Sequence, residues 1–282
     1  SELWIYCEGD ETGVIALNTY GGTPFDGPYT YLWSFNGQYI PGYDNMNVID
    51  NLPAGVYNIS VNDDNNCGPI LHEIIIQESS SIDSDFITSN YNGYSVSCNG
   101  SSDGFINLNP NGGIIPNSPT EYVFSWSGVD YNGNVIDLSN QSNSQDISNL
   151  IAGIYTFIVQ LDIPSEESLF STCIYSETIE LTEPDAIFIT LLNQGDVDCN
   201  NDSEGFINIT VSGGTGSYEY VWSGENFEGD VINLSTQFNQ EDINNLPAGN
   251  YIVSVEDNND CGPVLESFQV IEPNSLNVSG LI

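Results

Sequence analysis

The chain has 282 residues, with 40 Asp and Glu, no Lys or Arg, and a formal net charge of −40. Soluble domains average about 25% charged residues of both signs, so the missing cations have consequences. Side-chain ion pairs are excluded except through the lone His72. Nucleic acid is excluded as a partner, because phosphate needs Lys or Arg to displace its counterions. An anionic membrane surface repels the chain for the same reason.

A chain this acidic can be disordered, but 4 Trp, 16 Tyr and 12 Phe recur here in register. No run of about 18 apolar residues exists to span a bilayer. Without an initiator Met or a signal-peptide pattern, the chain is expected to be a mature or excised piece. Six Cys in three matched pairs suggest an oxidising, extracellular setting. Cations, or neutral groups such as sugars, are the natural partners. Salt adaptation, or resistance to proteases that cut after basic residues, is an alternative origin of the composition.

Internal repetition dominates the sequence. The first repeat, residues 1–80, opens with Cys7-Glu8-Gly9-Asp10-Glu11-Thr12-Gly13. It continues through Gly21-Gly22, Trp33-Ser34 and Asn51-Leu52-Pro53-Ala54-Gly55-Val56-Tyr57 to Cys67. Its first strand is expected to be truncated or supplied by a preceding repeat. The second repeat, residues 81–184, runs from Cys98-Asn99-Gly100-Ser101-Ser102-Asp103-Gly104 through Gly112-Gly113, Trp126-Ser127 and Asn149–Tyr155 to Cys173. It carries an insert, Asp162 to Thr172, before that Cys. The third, residues 185–273, has Cys199 to Gly205, Gly213-Gly214, Trp222-Ser223, Asn245–Tyr251 and Cys261. Cys199 lies 15 residues after Pro184, and joining the end of the chain to its start puts Cys7 16 residues after Pro273. Residues 274–282 therefore read as the first strand of a following repeat, and the chain as one phase of a tandem array.

Within each repeat the runs are short, β-branched and aromatic, and divided by Gly, Pro, Asn and Asp. In the third repeat they predict strands at Gly205–Ser212, Ser217–Trp222, Asn250–Val255 and Leu265–Ile271. The expectation is an all-β chain of three tandem immunoglobulin-like β-sandwich domains stacked head to tail. Trp33, Trp126 and Trp222 are assigned to the cores, and Tyr57, Tyr155 and Tyr251 to tyrosine corners.

The sequence of landmarks Cys-x-Gly-x-x-Asp-Gly, Gly-Gly, Tyr-x-Trp-Ser, Leu-Pro-Ala-Gly-x-Tyr and Asp-x-Asn-x-Cys resembles the SprB-type repeat of Bacteroidetes gliding-motility adhesins. Leu52-Pro53-Ala54-Gly55 and Leu246-Pro247-Ala248-Gly249 fit best, while the second repeat has Ile151 in place of the Pro. The resemblance implies very large surface proteins, exported by a type IX system and displayed as filaments.

Two readings of the cysteines stay open. Similar spacings allow one disulfide inside each repeat. In a seven-stranded sandwich, however, the first Cys precedes the second strand and the second Cys follows the sixth, at opposite poles. A seven-residue strand spans roughly 23 Å, whereas a disulfide needs Cα atoms about 4.4–6.8 Å apart. Head-to-tail stacking instead predicts Cys7–Cys173 and Cys98–Cys261, leaving Cys67 and Cys199 for flanking repeats.

The same stacking brings acids toward the joints: Asp10, Glu11, Asp103, Asp202 and Glu204 from one side, and Glu256, Asp257 and Asp260 from the other. Asp63, Asp64, Asp162, Glu166 and Glu167 belong to the second group of loops. Such carboxylates suit interdomain Ca²⁺, which takes six to eight oxygens; the competing reading is solvated turn chemistry. No other cofactor and no catalytic residue is expected, since His72 occurs in one repeat only. The functional expectation is a structural segment of an acidic cell-surface filament or adhesin stalk, not an enzyme. Its partners are neighbouring repeats and an extracellular polysaccharide or surface, with no membrane insertion. The alternative is a carbohydrate-binding module.

Overall fold

The computed structural model describes residues 3–22, 29–65, 67–113, 121–161 and 173–280. The insert Asp162–Thr172, with Glu166 and Glu167, lies outside them. The described residues form an all-β chain with three separate hydrophobic cores, one per repeat.

In the first repeat β1 (Leu3–Ile5), β2 (Gly13–Ala16), β3 (Thr30–Phe35), β4 (Gln38–Tyr39), β5 (Val48–Leu52), β6 (Gly55–Asn62) and β7 (Ile70–Glu78) make two sheets. One has the order β1-β7-β6-β3-β4 and the other contains β2 and β5 only. The second repeat has β8 (Asp83–Thr88), β9 (Gly104–Asn111), β10 (Tyr122–Val129), β11 (Ile147–Leu150), β12 (Gly153–Leu161) and β13 (Ile174–Leu181). The third has β14 (Phe188–Gly195), β15 (Gly205–Ser212), β16 (Glu219–Glu225), β17 (Ile243–Leu246), β18 (Gly249–Glu256) and β19 (Val264–Val270). Each of these two repeats pairs one three-stranded sheet, β11-β9-β8 or β14-β15-β17, with another, β10-β12-β13 or β16-β18-β19. This is the immunoglobulin-like arrangement.

The second and third repeats have six regular strands among the described residues, not the seven expected. The chain between β10 and β11, and between β16 and β17, is rich in Asn, Asp and Gly. It carries only the isolated bridges Val129–Val135 and Glu225–Val231, and in the third repeat a 3-10 turn at Ser235–Gln237. Residues that bond their own backbone in turns compete with a ladder.

The repeated landmarks each have a physical cause. Trp33, Trp126 and Trp222 are buried, and each indole donates to a backbone carbonyl, that of Met46, Ser144 or Gln240, at 3.0, 2.8 and 2.9 Å. Tyr57, Tyr155 and Tyr251 are buried and donate to the carbonyls of Pro53, Ile151 and Pro247 at 2.8, 2.8 and 2.6 Å. Pro and Ile serve equally at that position because only the carbonyl is used. The preceding Asn51, Asn149 and Asn245 sit at φ 54°, 56° and 55°, a left-handed conformation that Asn tolerates. The ladder of β11 on β9 slips at this Asn, which turns Leu150 into the core. The Gly that opens each β2-type strand lies under the next strand: a Cβ on Gly13, Gly104 or Gly205 would meet the carbonyl oxygen of Leu52, Leu150 or Leu246 at 2.7, 2.9 or 2.8 Å.

Candidate functional site

The chemistry-bearing residues gather at the two joints between repeats, each built from a turn and a loop. In the turn, the residue three after the first Cys closes back on it: Asp10, Ser101 and Asp202 donate N–H to the carbonyls of Cys7, Cys98 and Cys199 at 3.3, 3.0 and 3.1 Å. The residue between them, Gly9, Gly100 or Asn201, has φ 79°, 74° or 64°. Its N–H donates to a carboxylate at the end of the last strand or two residues past it: Glu78, Glu183 or Glu272, at 2.9, 2.6 and 2.6 Å. Sequence reasoning missed this glutamate clamp. Its signal is the Glu that stands four residues before a buried Ile, as Glu78 does before Ile82 and Glu183 before Ile187.

The loop carries the second Cys. Asp257 Oδ1 accepts from the amides of Asn259 and Cys261 at 2.9 and 3.1 Å. Asp257 Oδ2 accepts from the Thr215 amide and hydroxyl at 2.7 and 3.0 Å. The side chain is buried. Burial pushes its carboxyl up, but the amides of Thr215, Asn259 and Cys261 outweigh that and hold it below the usual carboxylate range. Asp63 does the same in the first repeat, accepting from Asn65 and Cys67 at 3.0 and 2.7 Å.

Turn meets loop across each joint. Cys7 is bonded to Cys173 and Cys98 to Cys261, with Cα atoms 5.3 and 5.4 Å apart and sequence separations of 166 and 163 residues. The structure therefore brings together the inter-repeat pairs and not the intra-repeat ones. Cys67 and Cys199 are exposed and free. Around Cys98–Cys261, Asn259 Nδ2 donates to the Ser97 carbonyl at 3.2 Å and Asn92 Nδ2 donates to Asn259 Oδ1 at 2.6 Å. At the other joint Glu8 accepts from the Ser81 amide at 2.9 Å, and Tyr6 and Cys7 pack on the second repeat's core.

The eight acids read as calcium ligands are spread over both joints and the turn at Cys199. Among the described residues no three His, Cys, Asp or Glu come together to hold a metal ion. Four of the eight use an oxygen locally, while Asp10 Oδ2 is buried without a hydrogen-bond partner. Asp103 Oδ1 accepts from Ser97, Asp202 Oδ1 from Ser203 and Glu204 Oε1 from Asp198, while Asp257 is saturated by its own loop. Asp10 and Asp260 close turns through their N–H groups, Glu11 is exposed, and Glu256 lies on β18 opposite Glu219. His72 is exposed on β7 opposite Ile59.

The landmarks of the third repeat decide its kinship. A family model described as the SprB repeat matches residues 191–227. The third repeat carries an SprB-type repeat. The matched stretch contains Cys199, Gly205, the Gly213-Gly214 pair and Trp222, the indole that fills the third core. No curated protein matches the chain. Similar solved structures include three N-terminal domains of the bacteriophage RB49 highly immunogenic outer capsid protein, at 15% identity, 91% of this chain, 89% of that one and TM-score 0.39. Mouse cadherin-23 EC22-24 is similar at 14% identity, over 95% and 93% of the two chains, with TM-score 0.33. Drosophila OTK extracellular domains 3-5 are similar at 12% identity, over 97% and 94%, with TM-score 0.29.

Proposed function

We propose that this chain is a mechanical segment of an extracellular surface filament or adhesin stalk, with no enzymatic role. The observation that carries the reading is the covalent staple at both joints. A disulfide linking the turn of one repeat to the loop of the next packs on the core of the second of them and removes hinge freedom between the two. Tandem repeats otherwise contact only their neighbours, and domains joined by small polar contacts move relative to one another by default. The disulfides fit an oxidising compartment, and the SprB repeat fits a surface adhesin whose tasks are gliding or attachment. The charge of −40 keeps such filaments apart in solution.

Small-angle scattering of the oxidised chain tests the mechanical reading. The expected profile is that of a rod three repeats long, which broadens into a flexible ensemble on reduction. Identical profiles before and after reduction would overturn it. Labelling of intact producing cells by an antibody to the chain tests the location, and labelling only after lysis would contradict it.

A further inference from the structure

The third repeat holds a groove that lies apart from both staples. Its volume is about 290 Å³, and its walls include Asn201, Asp202, Phe227, Glu228, Pro247 and Glu272. Local hydrogen bonds bring these residues together. Glu272 Oε2 accepts from the Asn201 amide at 2.6 Å and pins the Cys199 turn. Asn226 Oδ1 accepts from the amides of Glu228 and Asp230 at 3.0 and 2.8 Å and folds the loop after β16. That loop leaves the Phe227 ring outside the core, 53% exposed.

A following repeat leaves this face in solvent, as the second repeat shows. Tyr131 holds the place of Phe227 there, with the third repeat stacked behind it, and is 51% exposed. Gly100 and Asn132, the counterparts of Asn201 and Glu228, are exposed as well. The joint uses Asn92, Ser97 and Cys98 instead.

The lining selects the ligand. Ser203 and Asn201 each occupy one oxygen of Asp202 and Glu272. Among the described residues nothing donates to the other oxygen of either, or to the Glu228 carboxylate. The groove therefore presents acceptors, and a chain with no Lys or Arg offers an anion no counter-charge. A metal ion needs its ligands gathered at one point, and among the described residues no three acidic, His or Cys side chains are so gathered. A neutral sugar matches better. Its hydroxyls are donors set several ångströms apart around a ring, and its C–H face covers the face of an aromatic side chain. Sites for small ligands combine such an apolar surface with a few polar groups that fix orientation.

We propose that this groove binds a neutral pyranose unit of an extracellular glycan, with Phe227 under the sugar ring and Asp202, Glu228 and Glu272 accepting its hydroxyls. The third repeat carries the site alone. The second has Ser101 and Asn132 in place of Asp202 and Glu228, and its Tyr131 hydroxyl is spent on Glu180 and the Leu181 carbonyl. The site adds a grip to the stalk and depends on neither staple.

The test is saturation-transfer NMR on the oxidised full chain with cellohexaose, maltohexaose, mannohexaose and xylohexaose, and with dextran sulfate as the anionic probe. Binding of at least one neutral hexasaccharide, unchanged by chelator, is expected, with none of dextran sulfate. Phe227→Ala and Glu228→Gln alter exposed side chains, so circular dichroism stays as in wild type. Each is expected to weaken binding at least about tenfold, through the lost ring face or the lost charged acceptor. No binding of any neutral hexasaccharide, binding of dextran sulfate alone, loss of binding with chelator, or wild-type affinity in either variant would overturn the inference. None of these outcomes touches the stalk reading, which scattering tests through the two staples.

Discussion

Cys98 and Cys261 lie 163 residues apart in sequence yet their Cα atoms are 5.4 Å apart, so the second and third repeats are joined by a bond that crosses between them and packs on the third repeat's core. Replacing the pair with serine, close to cysteine in size, should keep the strands of each repeat and free the joint. For Cys98→Ser with Cys261→Ser, the expected result is unchanged circular dichroism, an unchanged urea midpoint for the first repeat, and a wider distribution of inter-repeat distances by double electron resonance. Unfolding of the third repeat in the variant would show that the bond holds a fold rather than a joint.

Asp257 is the cap on which the Cys261 loop depends. Asp257→Asn keeps the shape and removes the charge that four donors converge on, and hydrogen bonds to charged groups contribute about 1.5–3 kcal/mol. A loss of about 2 kcal/mol from the third repeat is expected at neutral pH. Because the folded carboxyl sits below its ordinary value of 3.8, its contribution is present above that pH and is lost as pH falls through the folded value. Wild type and variant should draw together in urea titrations as pH falls below 3.8. A constant gap from pH 7 to pH 2 would contradict the assignment.

The tyrosine corners give the opposite dependence at high pH. Burial pushes the phenols of Tyr57, Tyr155 and Tyr251 up to about 12, with Tyr43 and Glu11 adding to the effect at Tyr57. An unfolded chain ionises its tyrosines near pH 10, so between pH 10 and 12 the unfolded state binds fewer protons and stability falls. Tyr251→Phe is expected to cost about 1 kcal/mol at pH 7, the worth of a neutral hydrogen bond, and to flatten the decline of the third repeat's urea midpoint above pH 10. A variant with the wild-type slope would show that Tyr251 is not the group involved.

The parts of this architecture legible in the sequence are those that recur three times with one local cause. Trp126 and Tyr155 follow Gly104 in the same order as their counterparts follow Gly13 and Gly205, because one strand, one indole acceptor and one corner recur in each repeat. The joint disulfides were legible as one of two alternatives, from strand parity alone. The glutamate clamp was not, since Glu183 and the Gly100 amide it accepts from are brought together only when the last strand returns beside the first turn. The partners of Asp257 were hidden for a related reason. Composition shows a carboxylate near a joint but not that Thr215, 42 residues away, has already filled it. The missing fourth strand reflects turn residues whose side chains satisfy the backbone locally, as Asp130 does for the amides of Asn132 and Asn134.

Ionic strength supplies the last prediction. With 40 acidic residues and no Lys or Arg, nearly every long-range electrostatic contact in the folded chain is repulsive, and compaction brings like charges closer. Added salt shortens the Debye length from about 30 Å at 0.01 M to about 8 Å at 0.15 M, which screens surface carboxylates from their neighbours. The melting temperature should therefore rise by several degrees from 10 to 500 mM NaCl, the reverse of a fold held by surface ion pairs. Because the joint acids are engaged by their own loops, calcium and magnesium chloride at equal ionic strength should act alike. A calcium-specific rise, abolished by chelator, would show that the carboxylates rearrange around an ion, and a fall in melting temperature with NaCl would remove the repulsion argument altogether.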